Sequence, residues 1–147
     1  MGFDELIHML QAAVSPVILI SGAGLLILSM TNRFGRVVDR SRALGGELRN
    51  APPPERERLE AELEVLIQRA QILRSAISFA TLSVLLAAIL VIALFLSAFL
   101  RVQVVLLSVI LFVACLISLI ISLLAFLLDV NLSLSALKLD LNHDHSR

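Results

Sequence analysis

Three long apolar runs constrain this chain more than any other feature of its sequence. They cover Leu10–Thr31, Ala76–Leu100 and Val102–Leu128, and none of them contains a charged side chain. A helix of about 20 apolar residues spans the roughly 30 Å hydrocarbon core of a bilayer. Each run is long enough to do so, and 59% of the 147 residues are hydrophobic. The sequence therefore predicts an all-α integral membrane protein with three transmembrane helices.

The distribution of basic residues predicts the orientation of these helices. The 44 residues between the first two runs carry nine arginines and no lysine. Lys and Arg near helix ends favour the cytoplasmic side. With the N-terminus outside, eleven basic residues lie inside and one, Arg101, lies outside, and the opposite orientation inverts that count. We therefore expect the N-terminus to lie outside and the C-terminus inside, with the arginine-rich segment on the cytoplasmic side.

The N-terminal segment does not resemble a cleavable signal peptide. Asp4 and Glu5 occupy positions where a signal peptide carries basic residues. The first apolar run is also longer than the apolar region of a signal peptide. We therefore expect this run to remain in the mature protein as the first transmembrane helix.

The arginine-rich segment between the first two runs has helical periodicity in both halves. The first half repeats apolar or small residues at steps of three and four: Phe34, Val37, Val38, Ser41, Leu44 and Leu48. Asn50–Pro54 interrupts the pattern, and Pro54 followed by the acidic residues Glu55 and Glu57 is a typical helix start. The second half has a heptad seam, formed by Leu59, Leu63, Leu66, Ala70, Leu73 and Ile77. The segment is thus predicted to be a cytoplasmic antiparallel helical hairpin between transmembrane helices one and two.

These patterns divide the chain into four parts. Residues 1–31 are an outer segment with the first transmembrane helix, and residues 32–75 are the cytoplasmic hairpin. Residues 76–128 hold the second and third transmembrane helices, and residues 129–147 are a cytoplasmic amphipathic tail.

Two segments leave alternatives open. Pro16 either kinks the first helix or marks its first turn, in which case residues 3–14 lie along the outer interface. The leucines of residues 130–142 alternate as in a strand, but they also fit one helical face. We expect a helix there, because an exposed strand edge would promote aggregation.

Small residues recur every seven positions in the first and third runs. They are Ser15, Gly22 and Ser29 in the first, and Ser108, Cys115 and Ser122 in the third, where the next step is Asp129. Small residues let membrane helices approach closely, so these faces indicate helix packing. The alternative is an ion pathway along the third run, with Asp129 as an acidic ring at its mouth. The runs hold no ionisable side chain at membrane depth, which argues against a proton-coupled transporter.

The arginines allow three interpretations. They could determine topology and form ion pairs with the seven acids of the same segment. They could instead bind anionic lipid headgroups, through four residues close to the first run: Arg33, Arg36, Arg40 and Arg42. Nucleic-acid binding is not expected, because the segment offers no aromatic platform for base stacking and no known motif.

One family shares several of these features. The string TNRFGRVVDRSR at Thr31–Arg42, which follows SPVIL at Ser15–Leu19, resembles bacterial membrane proteins grouped as domain of unknown function 2721. Leu66–Arg74 and the leucine-rich stretch after Asp129 fit the same pattern. The resemblance covers nearly the whole chain and implies a three-helix membrane protein with a cytoplasmic hairpin. It implies no activity, so it assigns no functional residue.

The sequence offers no catalytic, cofactor-binding or metal-binding motif, so we expect no enzyme and no cofactor. Three helices alone cannot enclose a water-filled path, and faces of small residues require partner helices, so a homo-oligomer is predicted. The leading hypothesis is a homo-oligomeric channel-like protein that conducts small ions past Ser108, Cys115, Ser122 and Asp129. The alternative is a non-conducting membrane scaffold or accessory subunit of another membrane complex.

Overall fold

A computed structural model describes residues 3–100 and 105–144, with side chains described at positions 7, 8, 10, 11, 14–100 and 105–133. Within the described ranges the chain forms three helices: α1 (Phe3–Leu48), α2 (Pro53–Leu100) and α3 (Val105–Asp144). The prediction of an all-α protein is confirmed for this part of the chain. The turn expected between the second and third runs lies outside the described residues.

Each helix contains a stretch that is long and apolar enough to cross a bilayer. These stretches lie within Val14–Leu48, Pro53–Leu100 and Val105–Ser133. With 46, 48 and 40 residues, the helices measure about 69, 72 and 60 Å at 1.5 Å per residue. The hydrocarbon core is roughly 30 Å thick. A helix that crosses it with one of these stretches therefore continues well beyond it.

The structure decides between the alternatives left open at both ends of the chain. Pro16 lies in the interior of α1, which begins at Phe3. The alternative in which Pro16 marks the first turn is therefore wrong. At the other end α3 remains helical to Asp144, so the helix expected over residues 130–142 is confirmed.

The connection between α1 and α2 is short and is closed by backbone hydrogen bonds. The amide of Asn50 donates to the carbonyl oxygen of Glu47 at 3.1 Å, just after α1 ends. The carbonyl oxygen of Pro52 accepts from the amides of Glu55 and Arg56 in the first turn of α2. Pro53 and Pro54 suit the first turn of α2, because an N–H group there would have no partner within the helix. Glu55 complements the positive end of the helix dipole.

Packing divides the chain into two compact units. The apolar unit comprises the chain through Leu28 together with Ser78–Ser122, and the arginine unit comprises Ser29–Ile77 together with the chain from Leu123. The boundaries between the units therefore lie after residues 28, 77 and 122, whereas the boundaries predicted from the sequence lie after residues 31, 75 and 128.

The arginine unit has a core of large apolar side chains. Its buried cluster consists of Val37, Leu44, Leu66 and Leu73, and the side chains packed against it are Phe34, Leu59, Leu63, Ala70 and Phe126. All but Phe126 belong to the two periodic faces identified in the sequence. The predicted amphipathic helices on both sides of the turn are therefore confirmed, and α3 adds Phe126 to the same core.

Two contacts define the relative direction of α1 and α2 in the arginine unit. Arg40 on α1 bonds to Glu62 on α2. Arg33, seven residues earlier on α1, and Arg69, seven residues later on α2, both contact the carboxylate of Asp129 on α3. Partners that advance on one helix and recede on the other belong to antiparallel segments.

Small and polar side chains form the contact between α2 and α3 in the apolar unit. The Ser83 hydroxyl donates to the carbonyl oxygen of Cys115 at 3.0 Å, and the Cys115 thiol donates to the carbonyl oxygen of Ser83 at 3.2 Å. The Ser118 hydroxyl donates to the carbonyl oxygen of Phe79 at 2.8 Å. Such bonds across an interface satisfy polar groups where lipid offers no partner. The packing interpretation of the small residues is thus confirmed for Cys115.

The buried stripe of α1 lies one position away from the predicted small-residue face. Its members recur every seven residues: Pro16, Ala23, Met30, Val37 and Leu44. Ser15, Gly22 and Ser29 are exposed, and a Cβ atom added at Gly22 would meet nothing within 4 Å. These three residues therefore lie off the buried face of α1 in the single chain, because their neighbours occupy the inward positions, and their packing against a partner chain stays a prediction.

Candidate functional site

A buried carboxylate connects all three helices of the arginine unit. The side chain of Asp129 on α3 is fully buried. Its Oδ1 atom accepts a hydrogen bond from Arg69 Nε on α2 at 3.1 Å, and its Oδ2 atom lies 3.3 Å from Arg33 Nη2 on α1. A buried carboxylate is costly to desolvate unless it is paired. The Asp129 triad, meaning Asp129 with Arg33 and Arg69, supplies this pairing with one residue from each helix, while the buried Oδ2 atom accepts no hydrogen bond within the described residues.

Arg33 is further oriented by an aromatic ring. Its guanidinium carbon lies 5.4 Å from the centroid of the Phe126 ring, within the range of a cation–π contact. Phe126 also packs against the apolar core of the unit. The position of this guanidinium is therefore determined by both an ion pair and the core itself.

A cavity of about 300 Å³ lies beside the triad. We call it the arginine cavity. Its lining comprises Arg33, Arg36, Val37 and Arg40 from α1, Leu66 and Arg69 from α2, and Ser133 from α3. The three arginines of α1 share one helix face because they are spaced by three and four residues. Two helices thus bring four guanidinium groups to one cavity, and the third adds the hydroxyl of Ser133.

The arginine cavity carries more positive than negative charge. Among side chains that the structure describes, Asp129 and Glu62 form ion pairs with its arginines. Four positive charges against two negative ones leave an excess of two. The Arg40–Glu62 contact, at 3.0 Å, is open to solvent, with side chains 52% and 42% exposed, and exposed pairs of this kind are weak. Arg36 forms no ion pair within the described part of the chain.

The model of a family of proteins of unknown function, DUF2721, matches residues 13–139. The chain belongs to the DUF2721 family. The matched range contains the Asp129 triad and every residue that lines the arginine cavity. No curated protein and no solved structure matches the chain. Since the DUF2721 description assigns no activity, the function has to be argued from the site.

The four arginines predicted to contact lipid headgroups are divided between two places. Arg33, Arg36 and Arg40 line the arginine cavity. Arg42 lies instead in a separate groove of about 370 Å³ whose walls are mainly apolar, with Phe34 among them. The buried stripe of α1 runs between the two sets. The arginines therefore form one convergent group of three, with Arg42 outside it.

The four residues predicted to line an ion pathway are placed as follows. Cys115, Ser122 and Asp129 are buried, and Ser108 is partly exposed. Cys115 faces Ser83 of α2, and Asp129 faces the two arginines of its triad. Three of the four are thus buried within the single chain, and two of these, Cys115 and Asp129, contact side chains of other helices.

Sequence reasoning missed Arg69 and Ser133 as members of the site. Arg69 is 60 residues from Asp129 along the chain, and its seam neighbours identify it only as a flanking position of a heptad. A signal for the pairing was present, since Asp129 continues the seven-residue repeat of Cys115 and a carboxylate on a packed face needs a cation. Which arginine supplies this cation depends on the register between the helices, which the spacing of residues along α3 does not determine.

The described residues include no group of three or more His, Cys, Asp or Glu side chains that could hold a metal ion. The polar groups that line the arginine cavity are four guanidinium groups and the hydroxyl of Ser133, which are hydrogen-bond donors. Donors of this type bind and orient anions.

Proposed function

We propose that this protein is a non-conducting membrane scaffold or an accessory subunit of another membrane complex. In this proposal the protein lies in the bacterial inner membrane, N-terminus outside and C-terminus inside. The arginine unit then forms a helical stalk on the cytoplasmic side. The excess of basic residues in residues 32–75 supports this orientation.

The observation that carries the proposal is the pairing of Asp129 inside the chain. An acidic ring that attracts cations needs carboxylates that face a water-filled axis. Asp129 is buried and contacts two guanidinium groups, so its charge is neutralised locally. The thiol of Cys115 is likewise occupied by the backbone of Ser83. These contacts favour a packed interior over a conducting path.

Association with other helices is part of the same proposal. Ser15, Gly22 and Ser29 form an exposed stripe at seven-residue spacing on α1. Small residues of this kind let a second membrane helix approach closely. We therefore propose a homo-oligomer that associates through this stripe.

An ion channel is the second candidate, and the exposed stripe is the observation that favours it, because a channel of this size requires several copies. A proteoliposome assay distinguishes the two. Purified protein is reconstituted with a K⁺ or Na⁺ gradient, beside protein-free vesicles, and an added ionophore confirms that the gradient was held. The scaffold proposal expects no flux above that of the protein-free vesicles. A flux that Asp129→Asn alters would overturn it in favour of the channel.

A further inference from the structure

We propose that the arginine cavity binds a phosphate group, carried either by an anionic phospholipid headgroup or by a soluble phosphate compound. The residues that would contact it are Arg33, Arg36, Arg40, Arg69 and Ser133. The proposal rests on the geometry and charge of the cavity, and it is independent of whether the protein conducts ions.

The excess positive charge of the cavity favours an anionic ligand. Its four guanidinium groups meet two carboxylates, so an anion with one or two negative charges would complete the balance. Arg36 supplies an unpaired guanidinium within the described residues, and the exposed bridge from Arg40 to Glu62 costs little to exchange. Two arginines are therefore available to a ligand without breaking the buried triad.

The buried arginines are already oriented. The side chains of Arg69 and Arg33 are 16% and 26% exposed, and both are held by Asp129. A guanidinium group fixed in this way loses little conformational freedom when it binds, and such preorganisation increases affinity. The same carboxylate that stabilises the three helices thus prepares one wall of the cavity.

The number and type of donors favour phosphate over a carboxylate ligand. A guanidinium fork binds two acceptor oxygens at once. Arginines from two helices and a hydroxyl from the third surround the cavity, and a phosphate offers acceptor oxygens in several directions, whereas a carboxylate offers two in one plane. The volume of about 300 Å³ is at the lower end of the range of about 300–1,000 Å³ for small-molecule sites. It accommodates a phosphate with part of the group that carries it.

The test uses the full-length protein in detergent. The ligands are inorganic phosphate, phosphatidylglycerol and, as a phospholipid without net charge, phosphatidylcholine. Binding is titrated for the unchanged protein, for Arg36→Gln and for Arg42→Gln. Arg42 is the matched control, because it lies on the same helix but outside the cavity. Circular dichroism confirms that each variant is folded, and Arg40→Gln replaces Arg36→Gln if that variant unfolds.

We expect Arg36→Gln to weaken binding about 10-fold or more, the usual effect of losing a charge-assisted hydrogen bond, and Arg42→Gln to change it little. Phosphatidylglycerol binding that is tighter than inorganic phosphate binding identifies a lipid headgroup, and inorganic phosphate binding that is at least as tight identifies soluble phosphate compounds. Equal losses in both variants would overturn the proposal, since they would show general surface attraction. Binding no tighter than that of phosphatidylcholine would also overturn it. This assay does not measure flux, so its outcome is independent of the test of the scaffold proposal.

Discussion

Replacing Asp129 by asparagine removes the charge that Arg33 and Arg69 share. Asparagine has nearly the same volume, so the change creates no cavity and tests the charge alone. It leaves two guanidinium groups close together inside the arginine unit, with a neutral amide between them. We expect the variant to fold but to be clearly less stable than the unchanged protein.

The magnitude follows from the geometry. Two unit charges 3.1 Å apart attract by about 5 kcal/mol at an effective dielectric constant of about 20, before the cost of desolvation. Breaking a buried pair costs about 3–5 kcal/mol in practice. Solvent reaches part of both arginines, which are 16% and 26% exposed, and the new amide oxygen still accepts a hydrogen bond. The expected loss for Asp129→Asn is therefore about 2–3 kcal/mol.

The assay is thermal unfolding followed by far-ultraviolet circular dichroism in a single detergent, because the chain has no Trp or Tyr for intrinsic fluorescence. For a chain of this length the loss lowers the Tm by about 4–12 °C. Glu62→Gln is the matched control. It breaks an arginine–carboxylate contact of similar length, 3.0 Å, that is exposed, and it should cost less than about 1 kcal/mol.

A double-mutant cycle adds a second criterion. Arg69→Gln and Asp129→Asn together should cost less than the sum of the two single changes, by about 1–3 kcal/mol, because Arg69→Gln removes one of the guanidinium groups that Asp129→Asn leaves unpaired. The reasoning is refuted if Asp129→Asn lowers the Tm no more than Glu62→Gln, or if the two changes are additive.

Two further predictions concern the apolar unit. Cys115 is only 1% exposed, so maleimide should label its thiol slowly in the folded protein and quickly in SDS. Labelling as fast as that of a cysteine placed at the exposed position of Ala43 would contradict this packing. Gly22→Ile and Ala23→Ile change adjacent positions, one exposed and one buried. Gly22→Ile should leave the helix content by circular dichroism unchanged but reduce the mass of the particle in detergent, whereas Ala23→Ile should destabilise the fold by about 1–3 kcal/mol through overpacking. A normal Tm for Ala23→Ile, or an unchanged oligomer for Gly22→Ile, would contradict these assignments.

The sequence predicts the helices well, because their periodicity is local. The seam of Leu66 and Leu73 follows from heptad spacing, and so does its partner face with Val37 and Leu44. These large side chains have few alternatives to burial between the helices. Helix type and buried face therefore follow from the order of residues alone.

The register of α1 in the apolar unit does not follow from residue size. Gly22 and Ala23 both belong to seven-residue repeats of the sequence, and both are small. The rule that small residues pack selects the glycine repeat, whereas the structure buries the repeat that continues into Met30, a flexible side chain that fills irregular gaps. Only the contacts of the other helices distinguish adjacent stripes.

The composition of the site is predictable in part. Three of its arginines, Arg33, Arg36 and Arg40, follow from spacing on one helix, and the buried position of Asp129 follows from its place in a packed repeat. Arg69 and Ser133 come from other helices, and their convergence depends on the helix register. Sequence periodicity determines the face on which a residue lies, but it does not determine which face of another helix is opposite.

In this structure α2 of the same chain covers Cys115 and Ser118 of α3, and the substitution Ser83→Cys tests that packing. The Ser83 hydroxyl oxygen lies 3.3 Å from the Cys115 sulfur, so a cysteine at position 83 brings two thiols into contact. The measurement is oxidation of this variant in the membrane, followed by non-reducing electrophoresis and intact mass. We expect a monomer whose mass is lower by a pair of hydrogen atoms, with its thiols no longer labelled by maleimide. Disulfide-linked dimers through Cys115, with no internal bond, would contradict it.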